Sequence, residues 1–287
     1  MIAVSRLVPV LAVLVAASFG ASSGLYIKGV SLSSFALAGF RMGVPFLVLL
    51  PFIARRGKLL GDPAKRKILW FASALNAVRM ILFIMAYKLT AIGNAVVLLY
   101  LWPIFALVID CVRLKRPPAP AQIGLLLLAS AGVATMNLHR RFSAASGDLL
   151  GSLFMIASAC MFAATAIIFK GALDKVHETD ALYFQNAIGA LAFLPFLAVE
   201  AAGVPAADLL LGAVYGTTVG LFGFGLFFFA MKRLPLFQYS ALSYSEVLIG
   251  VAIGVGVLGE VLAVNQIVGA AMIIASSFIA QRLRAKA

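Results

Sequence analysis

The chain of 287 residues is 63% hydrophobic and only 11% charged, with a mean hydropathy of +1.08. Soluble domains carry charge on about a quarter of their residues, so this composition excludes a water-soluble fold and places the chain in a lipid bilayer. A net charge of +13 would suggest a nucleic-acid partner in a soluble protein, but here Lys and Arg sit mostly in short connections between apolar runs, where they act as topology signals, and no nucleic-acid partner is expected.

A helix needs about 20 mainly apolar residues to cross the hydrocarbon core, and the sequence supplies ten candidate stretches. In chain order they lie at 7 to 27, 34 to 53, 68 to 88, 91 to 112, 121 to 138, 150 to 169, 181 to 199, 209 to 231, 237 to 258 and 265 to 282. The first follows Arg6 and ends in Ala17-Ser18-Phe19-Gly20-Ala21-Ser22-Ser23, which imitates a secretory signal with a small-residue cleavage site; its near-spanning length and its place in an internal repeat assign it to the first helix. The second carries Arg41 in its outer half, read as snorkelling or pairing with a neighbouring helix. The third carries Asn76 and Arg79. The fourth holds Tyr100-Leu101-Trp102-Pro103 at mid-span and ends at Asp110, close to Arg113. The eighth and ninth are rich in glycine, which lets helices approach closely and bend. In the ninth, Tyr239, Ser243, Glu246 and Gly250 follow helical spacing and share a face. Lys28 and Lys170, each followed by Gly, end the first helix of each half and read as interface anchors, and Glu260 reads as an outer-surface residue. Cys111 and Cys160 have no Cys or His at metal-ligand spacing and read as packing residues; no metal or cofactor is expected.

The sequence is written twice, with an offset of 144 residues. Pro51-Phe52 returns as Pro195-Phe196, Lys88 as Lys232, Tyr100 as Tyr244 and Gln122-Ile123 as Gln266-Ile267. The join falls in the polar stretch His139 to Gly147, giving halves at 1–143 and 144–287. With the N-terminus on the cytoplasmic side, seventeen Lys and Arg residues fall in inside segments and four outside, so both termini are expected to be cytoplasmic in a bacterial inner membrane. Five helices per half is an odd number, so the second half enters the membrane from the opposite face. The expectation is an all-α membrane protein of ten helices in two inverted five-helix repeats, the symmetry that alternating access requires.

Charged residues inside spans are expensive and need a partner, water or a substrate. Arg79 lies near the bilayer centre, and Glu246 lies within about 6 Å of the same depth. Two readings follow. Arg79 and Glu246, paired with each other or each in contact with water, fix helix packing, or the guanidinium holds a substrate carboxylate while the carboxylate holds an amine or a coupling proton. Trp102 and Tyr100, aromatic at depth, serve as core packing or as the wall of a cavity, and Pro103 removes a backbone hydrogen bond beside them. Asn76 shares the face of Arg79; Ser243 and Tyr244 flank Glu246. The candidate substrate site is therefore Arg79, Glu246, Trp102, Tyr100, Asn76, Ser243 and Tyr244. Arg79 corresponds to Gly223 and Glu246 to Trp102 in the other half, so the site breaks the repeat.

Together these words resemble the drug/metabolite transporter superfamily, specifically its EamA-type families. The resemblance rests on Leu234-Pro235 followed by Ala241-Leu242-Ser243-Tyr244-Ser245-Glu246, on Leu258-Gly259-Glu260, and on Phe40-Arg41 in the second helix. Tyr100-Leu101-Trp102-Pro103 resembles the branch of aromatic-amino-acid exporters called YddG. The resemblance implies export of aromatic and other neutral amino acids across the inner membrane, through a basket of helices 1, 3, 4, 6, 8 and 9, with helices 5 and 10 peripheral. Many relatives carry Glu-Pro where this chain has Glu246-Val247, which puts a kink in helix 9 in question.

The leading expectation is a secondary transporter exporting small amino-acid-like metabolites, with Glu246 as the proton carrier where movement is proton-coupled. Transport or uptake of another organic metabolite, such as a nucleoside, vitamin or cationic drug, stays open, as do a passive channel, a membrane assembly subunit and any oligomeric state, the monomer included. An enzyme is disfavoured: His139 and His177 fall in connections, and no metal-binding or phosphate-binding motif is present.

Overall fold

The computed structural model describes residues 2–56, 63–115, 117–136, 146–258 and 263–283. Every regular element among them is helical. The first half contains α1 (Ile2–Ala21), α2 (Ser23–Gly29), α3 (Ser34–Arg56), α4 (Pro63–Leu89), α5 (Ile92–Leu99), α6 (Trp102–Leu114) and α7 (Pro120–Met136). The second contains α8 (Ser146–Ala172), α9 (Glu178–Glu200), α10 (Ala206–Tyr215), a π-helical segment (Gly216–Gly223), α11 (Phe224–Arg233), α12 (Leu236–Ser243), α13 (Ser245–Leu258) and α14 (Val264–Leu283). Seven described segments are long and apolar enough to cross a membrane, whereas Pro120–Met136 and Val264–Ala280 are apolar but shorter. Large apolar side chains such as Phe71, Val112, Leu191, Val199 and Leu210 stand on the outer surface, as expected where the solvent is hydrocarbon. Most of the join between the halves, Gly259, Glu260, and the cations Lys58, Arg116, Arg140, Arg141, Arg284 and Lys286 lie outside the described residues.

The repeat seen in the sequence is also a repeat of helix boundaries. Both ends of α3 recur 144 residues later as the ends of α9, and both ends of α5 recur as those of α12. Counterparts also pack on each other. Phe35 stacks on Phe196 at 5.1 Å and Phe46 on Tyr183 at 5.0 Å, so α3 runs antiparallel to α9. Likewise Asn265 donates to the carbonyls of Thr135 and Met136 (3.1 and 3.3 Å), while Ser276 donates to Leu125 O (2.7 Å), so α7 runs antiparallel to α14. Backbones touch along both seams: a Cβ on Gly39 would lie 2.9 Å from Phe193 O, and one on Gly132 would lie 2.8 Å from Gly269 O. Small residues allow this approach.

The words that recur have matching tasks. Gln122 accepts from Ala119 N (3.3 Å) and Gln266 from Ala263 N (2.9 Å), so each glutamine closes the first turn of its helix by satisfying a backbone donor that the helix leaves free. Lys88 donates to Leu32 O, and Lys232 donates to Val176 O at 3.3 Å. Each lysine thus ties the end of one helix to the connection between two others in its own half. Lys170, expected to be an interface anchor, is instead turned inward: it donates to Met231 O (2.5 Å) and Leu234 O (3.0 Å), neutralising carbonyls that the end of α11 leaves without helical partners. Cys160 is exposed on the outer face and Cys111 is partly exposed, so neither is the buried packing residue that the sequence suggests.

Four helical paths are interrupted along their length. The first breaks at Ser22, between α1 and α2, where Ser22 Oγ takes up Phe19 O at 2.7 Å. The fourth breaks at Tyr100-Leu101, where Leu101 N turns to Leu98 O in a tighter turn and Pro103 sits in the first turn of α6, the position that tolerates a missing N–H. The eighth widens into the π-helical segment, with Thr217 and Thr218 donating to carbonyls four residues back. The ninth breaks at Tyr244, between α12 and α13. The missing proline after Glu246 therefore does not straighten this helix: Val247 N bonds to Tyr244 O, three residues back, and that tight turn makes the break. Irregular backbone at membrane depth is tolerated only where protein or a cavity surrounds it.

Candidate functional site

The breaks surround a cavity of about 90 Å³ that adjoins a second of about 80 Å³. Gly20, Trp102, Phe162 and Glu246 belong to the walls of both. A larger cavity of about 290 Å³ lies between α6, α7 and α12 and includes Asp110 in its wall, but none of the candidate site residues. The smaller pair is where opposite charges converge.

Arg79, on α4, is 4% exposed. Its Nε donates to Asn76 Oδ1 at 2.9 Å, and Asn76 Nδ2 donates onward to Gln185 O at 2.9 Å. Asn76 sits one helical turn before Arg79 and grips the guanidinium from behind, leaving the two terminal nitrogens for the cavity. The rings of Phe162 and Phe83 flank it, at 5.0 and 5.7 Å from the guanidinium carbon, and attract the cation through their faces. Asn76 is absent from the cavity wall, so its part is to position Arg79.

Glu246 opens α13, immediately after the break at Tyr244. Its carboxylate lies flat against α1: a Cβ added to Gly20 would stand 2.6 Å from Cδ, Oε1 and Oε2 alike. Gly20 is therefore the one residue of α1 that must lack a side chain for Glu246 to hold this pose. The hydroxyl of Tyr100 lies within hydrogen-bonding reach of the carboxylate, and those of Tyr87 and Tyr239 lie near it. Arg79 and Glu246 line one cavity without forming an ion pair, and among the described residues the ion pairs gather elsewhere, on Glu178. The packing pair that the sequence left open is not formed.

Trp102 packs edge-on against Phe162 at 4.9 Å and walls both cavities. Tyr100 walls the first, and its hydroxyl donates to Ser243 O at 3.2 Å. Ser243 reaches the wall of the second, with its own hydroxyl turned to Ser240 O at 2.7 Å. Tyr244 faces away: its hydroxyl donates to Tyr100 O at 3.1 Å and lies 2.8 Å from Ser130 Oγ on α7. Tyr100 and Tyr244, at equivalent places in the repeat, thus cross-bond the two breaks, with ring centroids 5.2 Å apart.

Arg41 and Tyr215 are wall residues that the sequence reading does not place in the site. Arg41 does not snorkel; it meets the other expectation, pairing with a neighbouring helix, through the ring of Phe224 on α11 rather than through an acid among the described residues. It is 2% exposed, its guanidinium lies 4.4 Å from the centroid of Phe224, and it lines the same cavity as Arg79 and Glu246. Its mate in the repeat is the uncharged Gln185, the same kind of asymmetry that singled out Arg79. Tyr215 stands on the same wall. Helix 2 therefore joins helices 1, 3, 4, 6, 8 and 9 around the cavity, while α7 and α14 contribute no wall residue.

The family model of the EamA-like transporter family matches residues 7–138 and again residues 149–281. The chain is 25% identical over 273 residues to an uncharacterized transporter of Archaeoglobus fulgidus, covering 94% of this chain and 95% of that one. A solved crystal structure of a protein superposes with a TM-score of 0.74 at 17% identity, covering 96% of this chain and 98% of the other, a likeness of fold.

Proposed function

The chain belongs to the EamA-like transporter family, hence is a multi-pass membrane transporter of the drug/metabolite type and not an enzyme, and on that premise we propose that it exports small amino-acid-like metabolites by alternating access. The observation that carries this reading is the unpaired opposition of Arg79 and Glu246 across one aromatic-walled cavity. A zwitterion places its carboxylate on the free fork of Arg79 and its ammonium on Glu246, exchanging a costly separation of buried charges for two charge-assisted contacts. Trp102, Phe162 and Phe83 then face the side chain, which suits aromatic and other neutral amino acids.

The motion proposed is an exchange of conformation between inverted halves, 1–143 and 144–287. Antiparallel packing of equivalent helices supports it, as does the cross-bonded pair of breaks at Tyr100 and Tyr244. The excess of Lys and Arg in alternate connections supports cytoplasmic termini in a bacterial inner membrane. The test is counterflow of labelled amino acids in proteoliposomes, comparing the wild type with Arg79→Ala and Glu246→Gln. Arg79→Ala is expected to abolish exchange while remaining folded in detergent. Normal exchange by both variants refutes the assignment.

A further inference from the structure

The cavity carries two guanidinium groups and one carboxylate. Arg79 and Arg41 both face it, and Glu246 is the acidic side chain in its wall. In a low-dielectric interior an uncompensated charge is expensive, so a bound neutral zwitterion would leave one cation unmatched. Arg41 has the geometry of a ligand group rather than of a packing residue. Its Nη1 and the hydroxyl of Tyr215, on the same wall, are buried without a well-formed hydrogen bond among the described residues; the two groups face each other, so one anion can engage both. Phe224 supports the guanidinium from one side. The π-helical segment makes room for it on another, since a Cβ on Gly220 would lie 2.7 Å from Arg41 O and 3.2 Å from Nη1.

We propose that Arg41 and Tyr215 form a second anion subsite, and that the preferred substrate is an amino-acid-like metabolite bearing one ammonium and two anionic groups. The inference rests on the zwitterion reading of Arg79 and Glu246, adds a third contact to it, and shifts the preferred side chain from neutral to anionic. The substrate's second carboxylate accepts hydrogen bonds from Arg41 Nη1 and from the Tyr215 hydroxyl. With all three contacts made, the charges of the occupied cavity sum to zero.

Glutamate and glutamine isolate this contact, because they share length and nearly share volume and differ in one charge. Wild-type proteoliposomes are expected to exchange labelled glutamate at a half-saturating concentration lower than that for glutamine by roughly tenfold, the scale of one charge-assisted contact. In Arg41→Gln that ratio is expected to fall to about one, and Arg41→Lys is expected to keep part of it. A readout independent of any variant is the thermal shift of the wild type in detergent, which is expected to be larger with glutamate than with glutamine at equal concentration. Equal handling of the two by the wild type in both assays overturns the second subsite and leaves the amino-acid reading standing. Failure of both to exchange or to stabilise the protein overturns the second subsite, and failure of labelled aromatic amino acids in the same counterflow assay overturns the amino-acid reading with it.

Discussion

Replacing Gly20 with alanine is the sharpest test of Glu246 as a substrate contact, because it moves the carboxylate without touching its charge. The new Cβ would stand 2.6 Å from Cδ and both carboxylate oxygens, whereas ordinary contact begins at 3.4 Å, so the group must retreat by about 0.8 Å. Holding a glutamate side chain off its preferred rotamer costs about 0.5–1.5 kcal/mol. Losing one charge-assisted hydrogen bond to the substrate amine costs a further ~1.5–3 kcal/mol. The second figure alone raises the half-saturating concentration by roughly 10- to 150-fold. Gly20 lies inside α1, where alanine is the better helix former by about 1 kcal/mol, so the helix itself is not weakened. The assay is the concentration dependence of counterflow, with a thermal melt in detergent as the control for folding. Wild-type half-saturation in Gly20→Ala would mean that the position of Glu246 is immaterial, and the assignment of the amine contact would fall.

Three further experiments probe the supports of the site. Asn76→Ala removes the acceptor for Arg79 Nε and is expected to weaken exchange about tenfold while leaving the charge in place; an unchanged half-saturation would show that Arg79 needs no anchor. Tyr100→Phe and Tyr244→Phe each delete one cross-bond between the two breaks, and a double-mutant cycle on thermal stability is expected to give a coupling of about 0.6 kcal/mol, with zero coupling refuting a shared hinge. Gly216→Ala puts a Cβ against Phe40 O and 2.8 Å from Val44 Cγ2, so the seam between α3 and the π-helical segment must open, at a cost of about 1–3 kcal/mol in unfolding measurements.

Much of the scaffold is legible in the sequence because the bilayer imposes one rule, an apolar run of fixed length, and duplication states that rule twice. The recurrence of Gln122 as Gln266 and of Lys88 as Lys232 marks residues that satisfy backbone groups in the same way in each half. What the sequence hides is direction. Arg41 and Lys170 both lie where a long cation reaches water by snorkelling, and only the packing shows that one turns into a cavity and the other onto the carbonyls of α11. That Asn76 and Tyr244 stand behind the cavity wall is hidden for a related reason: helical spacing places a residue on a face, but it does not say whether the group lines the cavity or holds one that does. Gly20 is missed because its contribution is the absence of a side chain, which only the position of Glu246 reveals.

The pattern of agreement between the halves sorts structure from specificity. Where the copies agree, the residues cap helices, tie connections or pin hinges, tasks that both halves must perform if they are to exchange shapes. Among the positions where they differ, Arg41 against Gln185, Arg79 against Gly223 and Glu246 against Trp102 hold the three charged groups of the cavity wall and its tryptophan. A symmetric site would confront a bound molecule with paired like charges across the axis, at a cost that no amino acid could offset on both sides. On the proposed mechanism, the fold keeps its symmetry in the parts that would exchange shapes and gives it up at the surface that would meet a small, asymmetric molecule.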